Sequence, residues 1–332
     1  MTHHCRLLIA AALLLLAACS RAPLLPPPAG GEGPLELTAV PFFPQSDYQC
    51  GPAALATVLN HAGVAVTPEA LVDAVYLPGR RGSLQVELVA ATRRQGRVPY
   101  PIAGDLAGLT SALDGGHPVL VLQNLGTRRW PVWHFAVVIG YDAGRDRVIL
   151  RSGTTRREVT GARAFLRSWE LGGHWGILVL RPGELPAAAD ADRYLRAVTD
   201  METLAPPPTL VAAFGAAVER WPDNAWARVG LGNAQYAAGN LALAEATFRQ
   251  LLDRDPELVI ARNNLAHLLG ERGCRSDALA LLDAGLARST LSERERGQLQ
   301  TTRAGIAALP MAGEPPAQCP GPAAAGALPH PH

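Results

Sequence analysis

YQCGPAALATVLNHAG, Tyr48 to Gly63, sets a lone cysteine against Gly51 and Pro52 at the threshold of a run with helical spacing. A helix opens with unpaired N–H groups and partial positive charge, and proline suits its first turn because the missing N–H has no use there. A thiol held at that point has its thiolate stabilised, so the residues that start the helix also activate Cys50. The competing reading is structural, since free cysteine is among the residue types most often found filling a core.

A cysteine nucleophile needs a base, and the candidates are His61, His117, His134 and His174. His61 lies on the same helix, about 16 Å along it at 1.5 Å per residue, and is excluded. His117 and His174 each precede a strand-like run and read as loop or edge residues. His134 opens the apolar run HFAVVIGYD after a loop holding Trp130, Pro131 and Trp133. A histidine at a strand mouth beside aromatics that exclude water has the setting of a general base.

Around this pair, residues 35–182 mix helical and strand patterns. Ala53–His61, Pro68–Val75 (with Thr67 as cap) and Leu84–Gln95 have helical spacing, and Pro118–Gln123, Phe135–Tyr141, Arg147–Arg151 and Trp175–Leu180 read as buried strands. The pattern is α+β, helices first and sheet second. A Pro- and Ala-rich linker with one short helix, 183–208, leads to an all-α region, 209–309. There LGNAQYAAGNLALAEATFRQLLDRDP is echoed 34 positions later: Leu231 by Leu265, Gly239 by Gly273, Ala244 by Ala278, Pro222 by Pro256. This resembles tetratricopeptide repeats, which implies either a surface for docking a protein partner or substrate or a packing role within the chain. Ser292–Leu309 reads as a closing helix and 310–332 as a disordered tail.

At the other end, Met1–Cys19 has signal-peptide form, a short polar start with Arg6 followed by an apolar run too short to span comfortably. Leu16-Ala17-Ala18-Cys19 resembles the lipobox of bacterial lipoproteins, which implies lipidation of Cys19 and a chain held in the cell envelope. By the sorting rule of such lipoproteins, the resemblance with Ser20 after the cysteine implies the outer membrane, facing the periplasm. Residues 20–34 read as a flexible tether. An oxidising compartment would allow a Cys274–Cys319 disulfide and leave Cys50 as the odd thiol. With 30 basic against 29 acidic residues, no attraction to nucleic acid is implied. No spacing suggests a metal site, and no phosphate-binding glycine loop suggests a cofactor.

PFFPQSDYQCGPAALATVL, Pro41 to Leu59, followed by HFAVVIGYD from His134, resembles the papain-like cysteine peptidases that process bacteriocin leaders after a double glycine. With a lipobox and repeats, the chain looks like a lipoprotein subgroup of that family. The resemblance implies Cys50 as nucleophile, His134 as base and Gln45 as side-chain donor of an oxyanion hole. Gln45 stands five residues before Cys50, one fewer than is common in the family.

The family's third member, an Asp on the strand after the histidine strand, has no counterpart. A hairpin turning around Gly144 places His134 opposite Thr154, within about two positions of slip, where only Ser152, Gly153, Thr154 and Thr155 are available. Asp142 and Asp146 fall at the turn end. Ser152 is the first choice by position; its hydroxyl can accept from the imidazole N–H but brings no charge. The expectation is a Cys50–His134 dyad peptidase, and the alternative is a non-catalytic, peptide-binding scaffold.

Overall fold

The computed structural model describes residues 23–31, 33–45, 49–309 and 319. The signal segment, Cys19 and, apart from Cys319, the tail 310–332 lie outside them. The chain forms two compact units: residues up to Leu180 with Pro186–Ala188, and Arg181–Leu185 with the remainder from Ala189.

The first unit runs β1 (Leu35–Glu36), α1 (Cys50–His61), α2 (Pro68–Val75), a small hairpin of β2 (Tyr76–Leu77) and β3 (Gly82–Ser83), α3 (Gln85–Arg94), β4 (Val98–Pro101) and α4 (Leu106–Asp114). It continues with β5 (Val119–Asn124), β6 (Trp133–Asp142), β7 (Arg147–Ser152), β8 (Thr155–Gly161), α5 (Ala162–Leu171) and β9 (Gly176–Leu180). The main sheet is ordered β4-β9-β5-β6-β7-β8, with β1 also paired to β6, and every pairing is antiparallel. Its central strands are continuously apolar because both faces are covered. Leu120, Leu122, Phe135 and Val137 pack with Leu55 and Leu59 of α1. The alternate residues Val119, Val121, Ala136 and Val138 are equally buried, on strands that α4 and α5 also contact.

Sequence patterning identifies α1, α2 and α3 to within a few residues, and Thr67 accepts from the Ala70 N–H as expected of a cap. It misses β4, α4, β8 and α5, so the sheet does not follow the helices as a block; β4 falls between α3 and α4. The misses have a local cause. TRREVTG in β8 is mostly exposed and carries little hydrophobic signal, while VPYP in β4 contains two prolines that argue against a strand. Within the segment read as a tether, the Leu24 and Leu25 N–H groups donate to the Asp146 carboxylate (2.9 and 3.2 Å).

The second unit is all helical: α6 (Ala191–Thr199), α7 (Pro207–Arg220), α8 (Ala225–Ala237), α9 (Leu241–Arg254), α10 (Val259–Glu271), α11 (Arg275–Leu286) and α12 (Glu293–Ala308). From α7 onward each helix packs on the next. The 34-residue echo is structural as well. Gly239 (φ 76°) and Gly273 (φ 81°) both take the left-handed turn that glycine tolerates best, and Ala244 and Ala278 are both fully buried. A further echo concerns arginine. The Pro222 carbonyl accepts from Arg228 (2.8 Å) and Arg254 (3.1 Å), and 34 residues on the Pro256 carbonyl accepts from Arg262 (2.6 Å) and Arg288 (2.5 Å). Ser292 caps α12 in a capping box with Glu295. Cys274, just before α11, is disulfide-bonded to Cys319.

Candidate active site

Cys50 is the first residue of α1, free and half-buried. The helix is pinned because everything from Gly51 to Leu59 is buried, so the thiol's position is set by core packing. Gly51 is required by close approach: a Cβ there would meet the Ser83 Oγ at 2.2 Å and its Cβ at 2.5 Å. The β2–β3 hairpin thus lies directly against the residue after the thiol.

His134 lies near the start of β6, opposite Gln123 of β5. Across the hairpin, Val137 pairs with Arg151 and Val138 with Leu150; an irregularity then shifts the pairing by one. The register expected from the turn therefore holds at the histidine end, and the slip falls toward the turn. His134 Nε2 is 2.9 Å from the Ser152 Oγ, and Ser152 is only 7% exposed. Asp142 and Asp146 serve the turn as expected, Asp142 accepting from the Arg145 N–H (3.0 Å). Of the other histidines, His61 ends α1 and His174 packs edge-on against Trp169; neither lines the cleft, nor does His117.

Gln45 reaches the same place from a third direction. Its N–H donates to the Gly153 carbonyl (3.1 Å) in the turn after β7, and the chain before it is tied down by Arg151, whose guanidinium donates to the Val40 carbonyl (2.9 Å). Gln45, Cys50 and His134 line one cleft of about 990 Å³, with Gly153 and Thr154 at its edge. It is lined by the β2–β3 hairpin, Arg80 to Ser83, and by Pro131 and Val132 of the loop before β6, with Trp133 at the start of that strand.

That loop is organised by Asn124. Its side-chain oxygen accepts from the N–H groups of Gly126 and Val132 (both 2.9 Å), and its amide donates to the Thr127 carbonyl (3.1 Å). Trp130, Val132 and Trp133 are left exposed. Periodicity does not identify Asn124, since a buried Asn at the end of an apolar strand signals a turn as readily as a site.

Electrostatics pull two ways at the thiol. Burial pushes the Cys50 thiol up, although the backbone N–H groups of Phe135 and of the helix start pull the other way. Desolvation outweighs the helix terminus here. Burial likewise pushes His134 down, opposed by the negative charge of Glu158. In each group burial favours the uncharged form. Glu158, opposite Leu150 on β8, is a carboxylate that sequence reading misses because β8 itself goes unrecognised.

A cysteine at a buried helix start, a histidine at a strand mouth and a glutamine across a shared cleft, on an antiparallel sheet, define a papain-like peptidase fold. Comparison with known proteins agrees: residues 37–175 match the Peptidase_C39 like family, and residues 211–258 match the tetratricopeptide repeat family. The N-terminal region is thus a mixed α/β domain with a C39-like fold, followed by a helical region with a tetratricopeptide repeat match. Among solved structures, a C39-like peptidase from Bacillus anthracis is similar at 19% identity over 44% of this chain and 97% of its own, with a TM-score of 0.36. No curated protein matches. Among the described residues, no helix is long and apolar enough to cross a membrane.

Proposed function

We propose that this chain is a cysteine peptidase working through a Cys50–His134 dyad, anchored in the bacterial envelope by a lipid on Cys19, with its repeats docking a partner or substrate. The observation that carries the reading is that Cys50, His134 and Gln45 face one cleft, the His134 ring being held by Ser152. As substrate binds, His134 takes the thiol proton while Cys50 sulfur bonds to the peptide carbonyl carbon. Gln45, with a backbone N–H, donates to the oxyanion. The imidazolium returns its proton to the leaving amine as the C–N bond breaks, leaving a thioester that water, deprotonated by His134, hydrolyses.

In this reading the pair begins neutral, and His134 acts as a true general base rather than as the cation of a preformed ion pair. For that role Nε2–H must donate to Ser152, leaving Nδ1 to receive the proton. A carboxylate can only accept and so enforces that tautomer, whereas a hydroxyl can also donate and hold the wrong one. The pH dependence of Cys50 alkylation by iodoacetamide tests this. The rate should climb through the alkaline range, above the ordinary thiol pKa, with no plateau near pH 5. Rapid alkylation at pH 5 that disappears in His134→Ala would instead establish an ion pair. Peptide release from the parent but not from Cys50→Ala tests the activity itself. A chain that cleaves nothing, and whose Cys50→Ala variant leaves every envelope peptide terminus unchanged in cells, would be the scaffold.

A further inference from the structure

The two walls of the cleft differ in chemistry. On one side Pro131, Val132 and Trp133 are apolar. On the other the β2–β3 hairpin presents Arg80 and Arg81, both exposed. Arg80 ends a 3-10 turn over Pro78–Arg80, and Arg81 sits in the left-handed region (φ 48°), with its N–H bonded back to the Pro78 carbonyl (3.2 Å). No hydrogen bond or ion pair of either guanidinium occurs among the described residues, and none of the described residues lining the cleft is a carboxylate. Elsewhere in the first unit, Arg157 pairs with Glu36 and Arg145 with Asp142.

The hairpin is also fixed relative to the thiol. Ser83, two residues after Arg81, packs on Gly51, and its Oγ is buried without a hydrogen-bond partner among the described residues. Arg80 and Arg81 precede Ser83 by three and two residues, and both line the same cleft as Cys50.

We propose that Arg80 and Arg81 select peptides carrying a carboxylate within about three residues of the scissile bond, while an apolar residue lies against Val132 and Trp133. This rests on the peptidase reading for the identity of the ligand as a peptide. Guanidinium is the side chain best shaped for a carboxylate, which it binds through paired N–H donors. Two adjacent cations without an opposing acid also disfavour a basic ligand, so the wall discriminates by repulsion as well as attraction. The carboxylate is either an acidic side chain or the peptide's own C-terminus, and both present the same chemistry to the hairpin.

The probes are fluorescent decapeptides centred on Gly-Gly, with Glu or Gln at each of the three positions on either side, each made as free acid and as amide. Binding is measured on the full chain carrying Cys50→Ala, so that selectivity is read whether or not the parent turns the peptides over. At low salt, either Glu over Gln at one position or free acid over amide should bind at least about tenfold tighter, the preference shrinking at high salt. The first outcome assigns a side chain, the second a chain terminus. Added to Cys50→Ala, R80Q/R81Q should abolish the preference, and Arg80→Lys/Arg81→Lys should keep part of it, which separates lost charge from a damaged hairpin. Equal binding of acidic and neutral peptides, a preference that survives R80Q/R81Q, or no binding at all overturns the proposal. Turnover is measured separately on the parent: a carboxylate preference in binding without cleavage sinks the peptidase reading and leaves the recognition standing.

Discussion

The two units treat polar groups in opposite ways. In the first, unusual polar positions gather at one cleft: a thiol raised by burial, a histidine lowered by it, a buried serine behind that histidine and a second serine with no partner among the described residues. In the second, the distinctive polar contact is repeated, each proline carbonyl gripped by two arginines at the same 34-residue interval. Concentrated chemistry should be lost at a single residue without loss of the fold. Repeated structure should weaken by increments, leaving the chemistry alone.

The sharpest break is expected at His134. Replacing it with Ala removes the base while α1 and the sheet core stay in place, because the buried residues between α1 and β5–β6 do not include it. Peptide turnover should fall by about 10³-fold or more, with little change in the thermal midpoint of the first unit. A comparable loss of stability would mean that the cleft is part of the structural core after all.

Next in size is Arg262 in the repeat unit. It is buried, donates to the carbonyls of Pro256 and Leu281, and its counterpart one repeat earlier is Arg228. Arg262→Ala leaves the Leu281 carbonyl short of this donor and Pro256 with Arg288 alone, which should cost about 2 kcal/mol. For a helical unit of this size the midpoint would drop by about 4–8 °C. Cys50 alkylation should be unchanged; a change there would show that the two units are coupled.

How legible each unit is follows from the same contrast. The repeats are readable because Gly239, Ala244 and Pro222 each recur at one interval, so independent positions support one another. The cleft is readable through a few residues whose chemistry is rare, Cys50 before Gly-Pro and His134 at a strand mouth, and through hairpin register, which brought Ser152 to the histidine. What escapes are contributions that depend on elements without a pattern. Glu158 comes from an exposed strand with no apolar alternation, and Arg80, Arg81 and Ser83 from strands of two residues each. The direction in which the thiol shifts is likewise invisible in sequence, since a helix start and a buried environment pull it in opposite directions and only packing decides which prevails.

Ser152 tests whether the missing carboxylate limits the first unit. Ser152→Asp places an acceptor that carries charge 2.9 Å or so from Nε2, to judge from the present contact. It should enforce the productive tautomer and raise the His134 pKa by about one unit, worth about 1.4 kcal/mol toward the imidazolium that forms during attack. Turnover should rise by up to about tenfold, with the acid limb of the pH–rate profile moving to higher pH. A burial cost for the new carboxylate opposes this, so a variant that stays as slow as the parent, with an unmoved acid limb, would show that the missing carboxylate does not limit the site.

The smallest effect is expected at Glu158, whose negative charge already acts on His134 from the neighbouring strand. The sign follows from the charge: Glu158 favours the imidazolium and holds the His134 pKa above where burial alone would set it. Glu158→Gln should therefore lower that pKa further. Since His134 must be neutral to accept the thiol proton, the acid limb of kcat/KM should shift to lower pH. The imidazolium formed in the transition state loses a stabilising charge, so the plateau should fall by about two- to threefold, as befits a screened, partly exposed carboxylate. Combined with Ser152→Asp, the shift should shrink, because the nearer carboxylate then dominates the field at the ring. A shift to higher pH would reverse the sign and show that Glu158 reaches His134 through some group between them rather than by its charge.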